Sequence, residues 1–271
     1  MDSTIDLNQL KMALSRLRGD ASANVDASIV VPINAAKDLS NIYNLLLDLA
    51  AYHGPKRIEV ILVVNNFPQE TPPDEIKSYQ GLGVNVIAIP KVEYTGGVAL
   101  AARMPGIRAA ASQTMLLFDA DCRIPNAHAL LTWYIAQFEQ GCDLAYTHVD
   151  YTDLQPGFSI KARMFVHHAS RWIRRNIVGM PTSRGSNYAI RKDLIIDLFT
   201  SGRITYDIHV GPAVKTLHGK IMYSGAKEFT VYTSGRFFEQ GWGVLFNYLV
   251  WRTGYYRRVF KTKSGNVIPD R

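Results

Sequence analysis

The segment 114–121 (TMLLFDAD) most restricts what this chain can fold into. A short apolar run there ends in two carboxylates separated by one residue, which is typical of a buried strand. In an open α/β sheet, ligands bind at the edge formed by the carboxyl ends of such strands. On leaving the strand, Asp119 and Asp121 can point toward one cavity. Two convergent carboxylates suit a divalent cation, Mg²⁺ or Mn²⁺, and that cation suits a diphosphate.

Apolar runs alternate with helical periodicity on both sides of this segment. Buried strands are predicted at 28–34, 58–64, 84–89 and 143–150, and Asp38 is expected to cap the helix after the first of them. Such alternation indicates βαβ units. We therefore predict a Rossmann-like α/β fold, in which a mostly parallel central sheet is flanked by helices in a single compact domain.

Prolines and glycines set further boundaries. Pro105 interrupts a helix-prone segment at 98–103, so a break or a kink is expected close to Met104. A helix over 209–218 is predicted to carry Pro212 in its first turn, where proline is tolerated, and to end at Gly219.

Three segments allow more than one interpretation. Residues 1–24 carry Leu7, Leu10, Leu14 and Leu17 at helical spacing, which predicts an amphipathic helix that packs on the domain or on a partner, with a membrane-surface role as the less favoured alternative. Residues 155–180 are rich in arginine and aromatics around Trp172, and form either a solvated helix face or a site for a carbohydrate or lipid-phosphate acceptor. The tail, 241–271, is aromatic and then basic (Arg252, Arg257, Arg258, Lys261, Lys263).

That tail can dock on an anionic membrane, or pack against the domain or a second subunit, so peripheral membrane contact and a homo-oligomer both stay open. The net charge of +7 and the pI of about 9.3 permit an anionic partner. The net charge is the only feature that favours binding to nucleic acid, so no nucleic-acid partner is predicted. The polar first ten residues lack a secretion signal, no apolar run approaches the ~18 residues of a membrane span, and Cys122 and Cys142 make no disulfide framework. We expect a cytoplasmic protein, with membrane association as an alternative.

The order of motifs resembles the A-type glycosyltransferases of the large family-2 group. The resemblance extends over about residues 27–243. It rests on SIVVPIN at 28–34, EVILVVNN at 59–66, a Gly-Gly turn followed by ARMPGI at 102–107, the Asp-x-Asp strand, GSNYAIR at 185–191, Tyr206-Asp207 and TSGR at 233–236.

This resemblance implies a metal-dependent enzyme that moves a sugar from a nucleotide-diphosphate donor, a UDP-sugar by preference, to a hydroxyl acceptor with inversion. The acceptor would be a glycan, a lipid-linked saccharide or a small molecule. The chain then divides into an extension (1–24), a nucleotide-sugar-binding half (25–150), an acceptor-binding and catalytic half (151–240) and the tail (241–271).

The resemblance also implies roles for particular residues. Asp121 is the implied metal ligand, Asp119 contacts ribose or metal, and His218 is a candidate third ligand, although a lone histidine near a helix end is often structural. Asp207 is the implied general base, with His209 as its rival. The implied donor-binding residues are Pro32, Asn34, Asn65, Asn66, Gly97, Arg103, Asp119, Ala120, Gly185, Ser186 and Arg236.

Each of these residues also has an ordinary structural interpretation: Arg103 as a surface helix charge, the asparagines as turn formers and Pro32 as a strand terminator. Asn65-Asn66 replaces an acidic pair of the family pattern, and Tyr206 replaces a glutamate. A nucleotide-sugar-binding module without turnover is therefore an alternative. A sugar-phosphate nucleotidylyltransferase would need a Gly-rich basic loop after the first strand, and a dehydrogenase would need G-x-G-x-x-G there. The segment 33–37 (INAAK) supplies neither, which disfavours both classes of enzyme.

Overall fold

The structure is a computed structural model that describes residues 7–18, 24–67, 74–94, 96–155 and 157–261. The strands of this part are β1 (Ala27–Asn34), β2 (Ile58–Asn65), β3 (Asn85–Ala88), β4 (Thr114–Leu117), β5 (Leu144–Thr147), β6 (Val149–Thr152), β7 (Tyr188–Arg191), β8 (Ile221–Ser224) and β9 (Val231–Ser234). The helices are α1 (Leu7–Arg18), α2 (Leu39–Ala50), α3 (Asp74–Gly81), α4 (Val98–Ala109), α5 (Ala127–Glu139), α6 (Phe158–Asn176), α7 (Lys192–Thr200), α8 (Asp207–Thr216) and α9 (Trp242–Lys261).

Seven strands form the central sheet, in the order β3-β2-β1-β4-β7-β5-β8. All neighbours pair in parallel except β7, which runs antiparallel to both β4 and β5. A second, two-stranded sheet pairs β6 with β9 in parallel. The carboxyl ends of β1, β2 and β4 therefore meet at one edge of the central sheet, as the sequence predicts.

Side chains of β1 alternate between two apolar layers, one on each face of the sheet. Ile29 and Val31 face the layer that contains α1, α2 and α5, whereas Val30 faces the layer that contains α4, α7 and α8. Because both faces are covered, β1 and β2 are apolar nearly throughout, as parallel strands usually are. The α/β fold with a mostly parallel sheet between helices, in a single compact domain, is thus confirmed.

The predicted amphipathic helix at the amino terminus is present as α1. Leu10, Leu14 and Leu17 are buried, and α1 packs on α2 and β2. Its apolar stripe therefore belongs to the core of the domain. The side chain of Leu7 lies outside the described part of the chain.

Helix α4 runs without interruption from Val98 to Ala109 and contains Pro105, so of the break or kink predicted near Met104, the break is wrong. Met104 and Ile107 are buried, and a Cβ at Gly106 would lie 2.6 Å from a β2 side chain. Burying one large apolar side chain contributes about 1.5–3 kcal/mol, while a helical proline costs about 3 kcal/mol. Packing against the sheet therefore outweighs the local penalty.

Two other proline predictions also need correction. Pro212 lies in the second turn of α8, and His218 adopts the left-handed φ of 58°, so the helix ends before Gly219. Pro32 lies inside β1 and does not terminate it. Successive backbone N–H groups of a strand point alternately to its two neighbours, and the Ala35 N–H donates to β2, so the Pro32 nitrogen faces β4. The pairing of β1 with β4 ends at Val30, so the missing N–H of Pro32 costs no hydrogen bond between the strands.

The single strand predicted at 143–150 is two strands in different sheets. The break is at His148, whose N–H donates to Ser224 O at 3.1 Å and whose carbonyl accepts from Val231 N at 3.1 Å. His148 thus connects the central sheet to the second sheet, and apolar alternation carries no signal of that change.

The predicted apolar-aromatic part of the tail forms α9, which packs on α6 and α8. Its first basic residue, Arg252, is fully buried and donates to the Tyr248 hydroxyl, so it is not a surface charge. The side chains of the remaining basic residues (Arg257, Arg258, Lys261, Lys263) lie outside the described part. Among the described helices, none is long and apolar enough to cross a bilayer.

Candidate active site

A cavity of about 370 Å³ opens at the carboxyl ends of β1, β2 and β4. We call it the Asp119 cavity. It brings together residues far apart in sequence because parallel strands deliver their carboxyl ends to one edge. Its lining residues are Pro32, Asn34, Asp38, Asn65, Val98, Ala99, Ala102, Asp119, Ala120 and Asp121.

A second, more polar cavity of about 470 Å³ meets the first at Asp121, and we call it the Arg236 cavity. Its wall carries positive charge from Lys37, Arg123 and Arg236, and negative charge from Asp121 and Asp153. The Arg236 side chain is exposed and its Nε donates to Ser234 Oγ at 2.9 Å. Asp121 therefore lies between the acidic Asp119 cavity and a second cavity that carries three basic side chains.

Arg103 lies beneath this edge and is fully buried, so it is not the surface helix charge that a position on α4 also allowed. Its Nη1 donates to Asp207 Oδ1 at 2.6 Å, and its Nη2 donates to Asp119 Oδ1 and to Gly185 O, the latter at 2.8 Å. Although burial alone lowers its pKa, Asp207 and Asp119 raise the pKa of Arg103 above its ordinary value. One guanidinium thus ties β4, α8 and the loop before β7 together.

The carboxylate of Asp207 is nearly buried at the start of α8. Besides Arg103, its Oδ1 accepts from the Tyr188 hydroxyl at 2.9 Å. Its Oδ2 lies 3.0 Å from where a side chain at Gly185 would begin. The glycine therefore places no side chain against the second carboxylate oxygen, although Asp207 is not among the lining residues of the two cavities.

Gly96 and Gly97 allow α4 to approach the loop before α8. The Gly97 N–H donates to Thr205 O at 2.7 Å. A Cβ at Gly96 would lie 2.6 Å from that same carbonyl oxygen, and one at Gly97 would lie 3.0 Å from the Tyr206 ring. This close contact sets the distance between Arg103 and Asp207, so Gly97 acts through backbone spacing.

The carboxylates of this region exceed the positive charge. Asp119, Asp121 and Asp207 with the single Arg103 give a formal charge of −2. Burial raises the pKa of Asp119 to about 6, with Asp207 and Asp121 adding to the shift and Arg103 opposing it. Asp121 is oriented by the Thr233 hydroxyl, which donates to its Oδ1 at 3.0 Å. This excess of hard oxygen ligands fits a divalent cation.

Among the described residues, however, no cluster of three or more His, Cys, Asp or Glu is arranged to hold a metal ion. A cation here would have to complete its coordination with substrate phosphates and water, which is the usual situation of Mg²⁺ at phosphate sites.

Three asparagines lie at the ends of β1 and β2. Asn65 donates to Ile33 O at 3.2 Å, and Asn66, in the left-handed conformation, donates to Asn34 Oδ1 at 2.9 Å. Asn34 and Asn65 line the Asp119 cavity, whereas Asn66 is not among its lining residues. The first two are therefore placed to contact a ligand, and Asn66 positions Asn34.

The loop 185–187 is held from below by buried hydrogen bonds. The Cys122 thiol donates to Ser186 O at 3.2 Å, and Asn187 Nδ2 donates to Thr147 Oγ1 at 2.6 Å. Gly185 contributes its carbonyl to Arg103. Gly185 and Ser186 thus shape the site through their backbone.

The structure does not bring the two predicted histidines to the cavities. His209 is buried among aromatic rings, with its ring stacked on Tyr255 at 3.7 Å, and its Nδ1 lies 3.2 Å from Thr205 Oγ1. His218 is exposed just before β8, whose amino end pairs with that of β5. Since β5 runs parallel to β4, His218 lies at the opposite edge of the sheet from Asp121 and is no partner for it.

Sequence reasoning missed several residues of this site. Asp38 was expected to cap α2, but its carboxylate accepts from the Asn34 N–H at 3.4 Å and lines the Asp119 cavity. The position of Asp38 four residues after the β1 end is the signal that could have found it. Tyr188 and Thr233, which orient the carboxylates, carry no such signal. The remaining missed lining residues are Val98, Ala99 and Ala102.

Solved structures share this fold. The mannosyltransferase PcManGT from Pyrobaculum calidifontis, in complex with GDP-Man and Mn²⁺, aligns with a TM-score of 0.53 at 12% identity, over 84% of this chain and 69% of that one. Glucosyl-3-phosphoglycerate synthase from Mycobacterium tuberculosis, with Mn²⁺, UDP and phosphoglyceric acid, aligns with a TM-score of 0.51 at 16% identity, over 100% and 86%. S. aureus TarS 1-349 with UDP aligns with a TM-score of 0.53 at 18% identity, over 77% and 60%.

At these identities the likeness shows the fold alone, and no curated protein matches the chain in sequence. The sequence profile of glycosyl transferase family 2 matches residues 28–199, which is more than half of the chain. That match includes β1, β2, the Asp-x-Asp segment and the 185–191 strand. The chain therefore belongs to glycosyl transferase family 2 and is a glycosyltransferase.

Proposed function

We propose that the protein transfers a sugar from a nucleotide-diphosphate donor, a UDP-sugar, to a hydroxyl acceptor. The observation that carries this proposal is the Asp119–Asp121 pair above the buried Arg103, in a cavity bordered by the ends of β1 and β2. The complexes of the similar structures with GDP-Man or UDP support a nucleotide donor in general. Two of those three hold UDP, which supports uridine as the first choice.

In this proposal the half formed by 25–150 holds the donor. The amides of Asn34 and Asn65 offer donors and acceptors to the base or ribose, since an amide presents both. The apolar part of the cavity lining includes Pro32, Ala99, Ala102 and Ala120, and the three alanines have small side chains that leave room for the donor. Arg236, which lines the neighbouring cavity together with Asp121, would contact the diphosphate.

Asp121 would hold the divalent cation, Mn²⁺ or Mg²⁺, together with the donor phosphates, and Asp119 would face the ribose or the cation. When bound, such a cation neutralises the charge that develops on the leaving diphosphate. Arg103 donates a hydrogen bond to Asp119 Oδ1 and would hold this oxygen in place when a cation binds. The Mn²⁺ in the PcManGT and M. tuberculosis structures supports a divalent cation.

The half formed by 151–240 would bind the acceptor and supply the base. The acceptor oxygen attacks the anomeric carbon, the bond from that carbon to the diphosphate oxygen breaks, and the nucleoside diphosphate leaves with the electron pair. The acceptor proton goes to Asp207 Oδ2, the oxygen free of Arg103 and Tyr188. A single displacement of this kind inverts the anomeric configuration.

The test is release of UDP from UDP-sugars with Mn²⁺ and varied acceptors. Asp121→Asn should lose more than about tenfold in turnover, because removing an electrostatic partner of the leaving group costs several kcal/mol. Asp197→Asn, an exposed carboxylate of α7, should match wild type. Asp207→Asn should bind donor and lose turnover. Equal turnover in wild type and Asp121→Asn would overturn the proposal, and binding without turnover in wild type would support a binding module.

A further inference from the structure

Helix α6 has an unusual distribution of side chains. Arg163, Arg171 and Arg174 are buried, while Phe165 and Trp172 are 73% and 54% exposed. A surface helix ordinarily does the opposite. The exposed apolar side chains of α6 and the residues that follow it are Phe158, Phe165, Val166, Trp172, Ile173, Ile177 and Val178.

A cavity of about 270 Å³ opens beside this apolar face and shares no lining residue with the Asp119 and Arg236 cavities. None of the described residues that line it is acidic. Its wall combines charge with aromatic surface: Arg171, Arg175, His148, His168, Phe165 and Trp172. We call it the α6 cavity.

Within the part of the chain that the structure describes, no carboxylate contacts Arg171 to neutralise its positive charge. Arg171 is 3% exposed, and its terminal nitrogens donate to the carbonyls of Val149 and Thr182 at 3.3 and 3.5 Å. Its Nε has no hydrogen-bond partner in the described chain. The neighbouring carboxylate, Asp150, lies 3.6 Å from His168 Nε2 instead.

Arg175 adds a second guanidinium. Its Cζ lies 3.8 Å from the centre of the Tyr223 ring. A guanidinium stacked on a ring keeps its N–H donors in the plane, where they can contact an anion in the bidentate geometry that phosphate favours. Burial, together with Arg171 and His168, holds the pKa of His148 at about 4, so this ring is neutral and can also donate to an anion.

We propose that the α6 cavity binds the phosphate group of a membrane lipid, with the exposed apolar face of α6 lying on the bilayer surface. Two guanidinium groups without an acidic lining match a phosphate, and Phe165 and Trp172 at the same cavity match an acyl chain. Tryptophan favours this kind of interface, where one end is apolar and the other is wet. Trp242 of α9, which lies 5.9 Å from the Arg163 guanidinium, extends the exposed aromatic surface.

The experiment measures binding of the full chain to vesicles of phosphatidylcholine with and without phosphatidic acid. Phosphatidic acid should tighten binding, and Arg175→Gln should weaken it about tenfold, since charge-assisted hydrogen bonds are worth roughly 1.5–3 kcal/mol. Lys161→Gln is the matched control because Lys161 is an exposed cation of α6 outside the cavity. It should weaken binding about twofold or less.

Equal loss in the two variants would overturn the proposal, because the attraction would then be a general effect of charge. No difference between the two vesicle types would also overturn it. Inorganic phosphate that binds as tightly as phosphatidic acid would show a soluble ligand and not a lipid. Thermal stabilisation of Arg175→Gln by UDP and Mn²⁺ should equal that of wild type, because Arg175 lies outside the donor half and outside the Asp119 cavity, so a loss of lipid binding is distinguishable from a failure of the proposed donor site.

Discussion

The side chain of Arg103 determines how the carboxylates of this site are arranged. It contacts Asp119 and Asp207, which approach from different parts of the chain, and it has no exposed surface. Its position on α4 was evident from the sequence, but its burial was not, because burial depends on the sheet that α4 covers. The same limit applies to His209 and His218. Both are near Asp207 in sequence, but His209 lies in an aromatic cluster and His218 lies at the far edge of the sheet.

Removing Arg103 should therefore destabilise the fold. Arg103→Ala leaves Asp119 and Asp207 as uncompensated carboxylates, and breaking a buried ion pair in this way costs about 3–5 kcal/mol. Urea denaturation measures the free energy of unfolding. Arg103→Lys keeps the positive charge but loses the two-pronged guanidinium, so its free energy of unfolding should lie between those of wild type and Arg103→Ala. Arg108→Ala, an exposed arginine of the same helix, should stay within about 0.5 kcal/mol of wild type. A similar small change at both positions would show that Arg103 is not the structural link.

At the scale of elements, the contact between the start of α4 and the loop before α8 aligns the site. The helices themselves follow from apolar periodicity and were largely predictable. Their contact was not, because it depends on the absence of side chains at Gly96 and Gly97. Pro105 shows the reverse case, in which a local rule predicted a break that burial against the sheet prevents.

Gly96→Ala should push α4 away from that loop. Its Cβ would meet Thr205 O at 2.6 Å, and a backbone oxygen cannot move aside as a side chain can. Overpacking of this kind costs about 1–3 kcal/mol. We expect a matching loss of stability by denaturation and a loss of UDP-sugar turnover as Arg103 and Asp207 separate. Gly81→Ala, at the end of α3 with open space around it, should be neutral or stabilising. Full activity in Gly96→Ala would contradict this account of the alignment.

The histidines packed around α6 should make stability depend on pH. Burial lowers the pKa of His148 from 6.5 to about 4 and lowers that of His167 in the same direction. Between these values the unfolded chain binds more protons to these histidines than the folded chain does, so their contribution to the free energy of unfolding falls as pH falls from about 6.5 toward 4, by up to about 1.4 kcal/mol per pH unit for each histidine. Asp119, whose pKa burial raises from 3.8 to about 6, acts in the opposite direction between those two pH values, so the histidine contribution is measured as the difference between wild type and a histidine variant. The pKa of Asp150 is lowered from 3.8, so its effect lies at more acidic pH.

Chemical denaturation at pH 7 and at pH 5 measures this slope. His148→Asn removes one of the two groups and should give a shallower dependence than wild type. Identical slopes in the two proteins would exclude His148 as a source of the acid sensitivity.

The whole molecule places opposite charges in different regions. Among the described residues, the Asp119 cavity is acidic and the α6 cavity carries arginines without a lining carboxylate, while the Arg236 cavity carries both signs of charge. The sheet order that creates this pattern was foreseen only as alternating strands and helices. The antiparallel β7, between β4 and β5, brings the 185–191 segment beside Asp119, and no local pattern predicts the order of strands across a sheet.

A crystal structure with UDP and Mn²⁺, with the metal located by its anomalous signal, tests the central claim most directly. We expect the Mn²⁺ between an Asp121 carboxylate oxygen and the UDP diphosphate, with the uracil and ribose toward Asn34 and Asn65 and the Arg103 contacts to Asp119 and Asp207 unchanged. A metal bound away from Asp121, or a nucleotide outside the Asp119 cavity, would contradict the account.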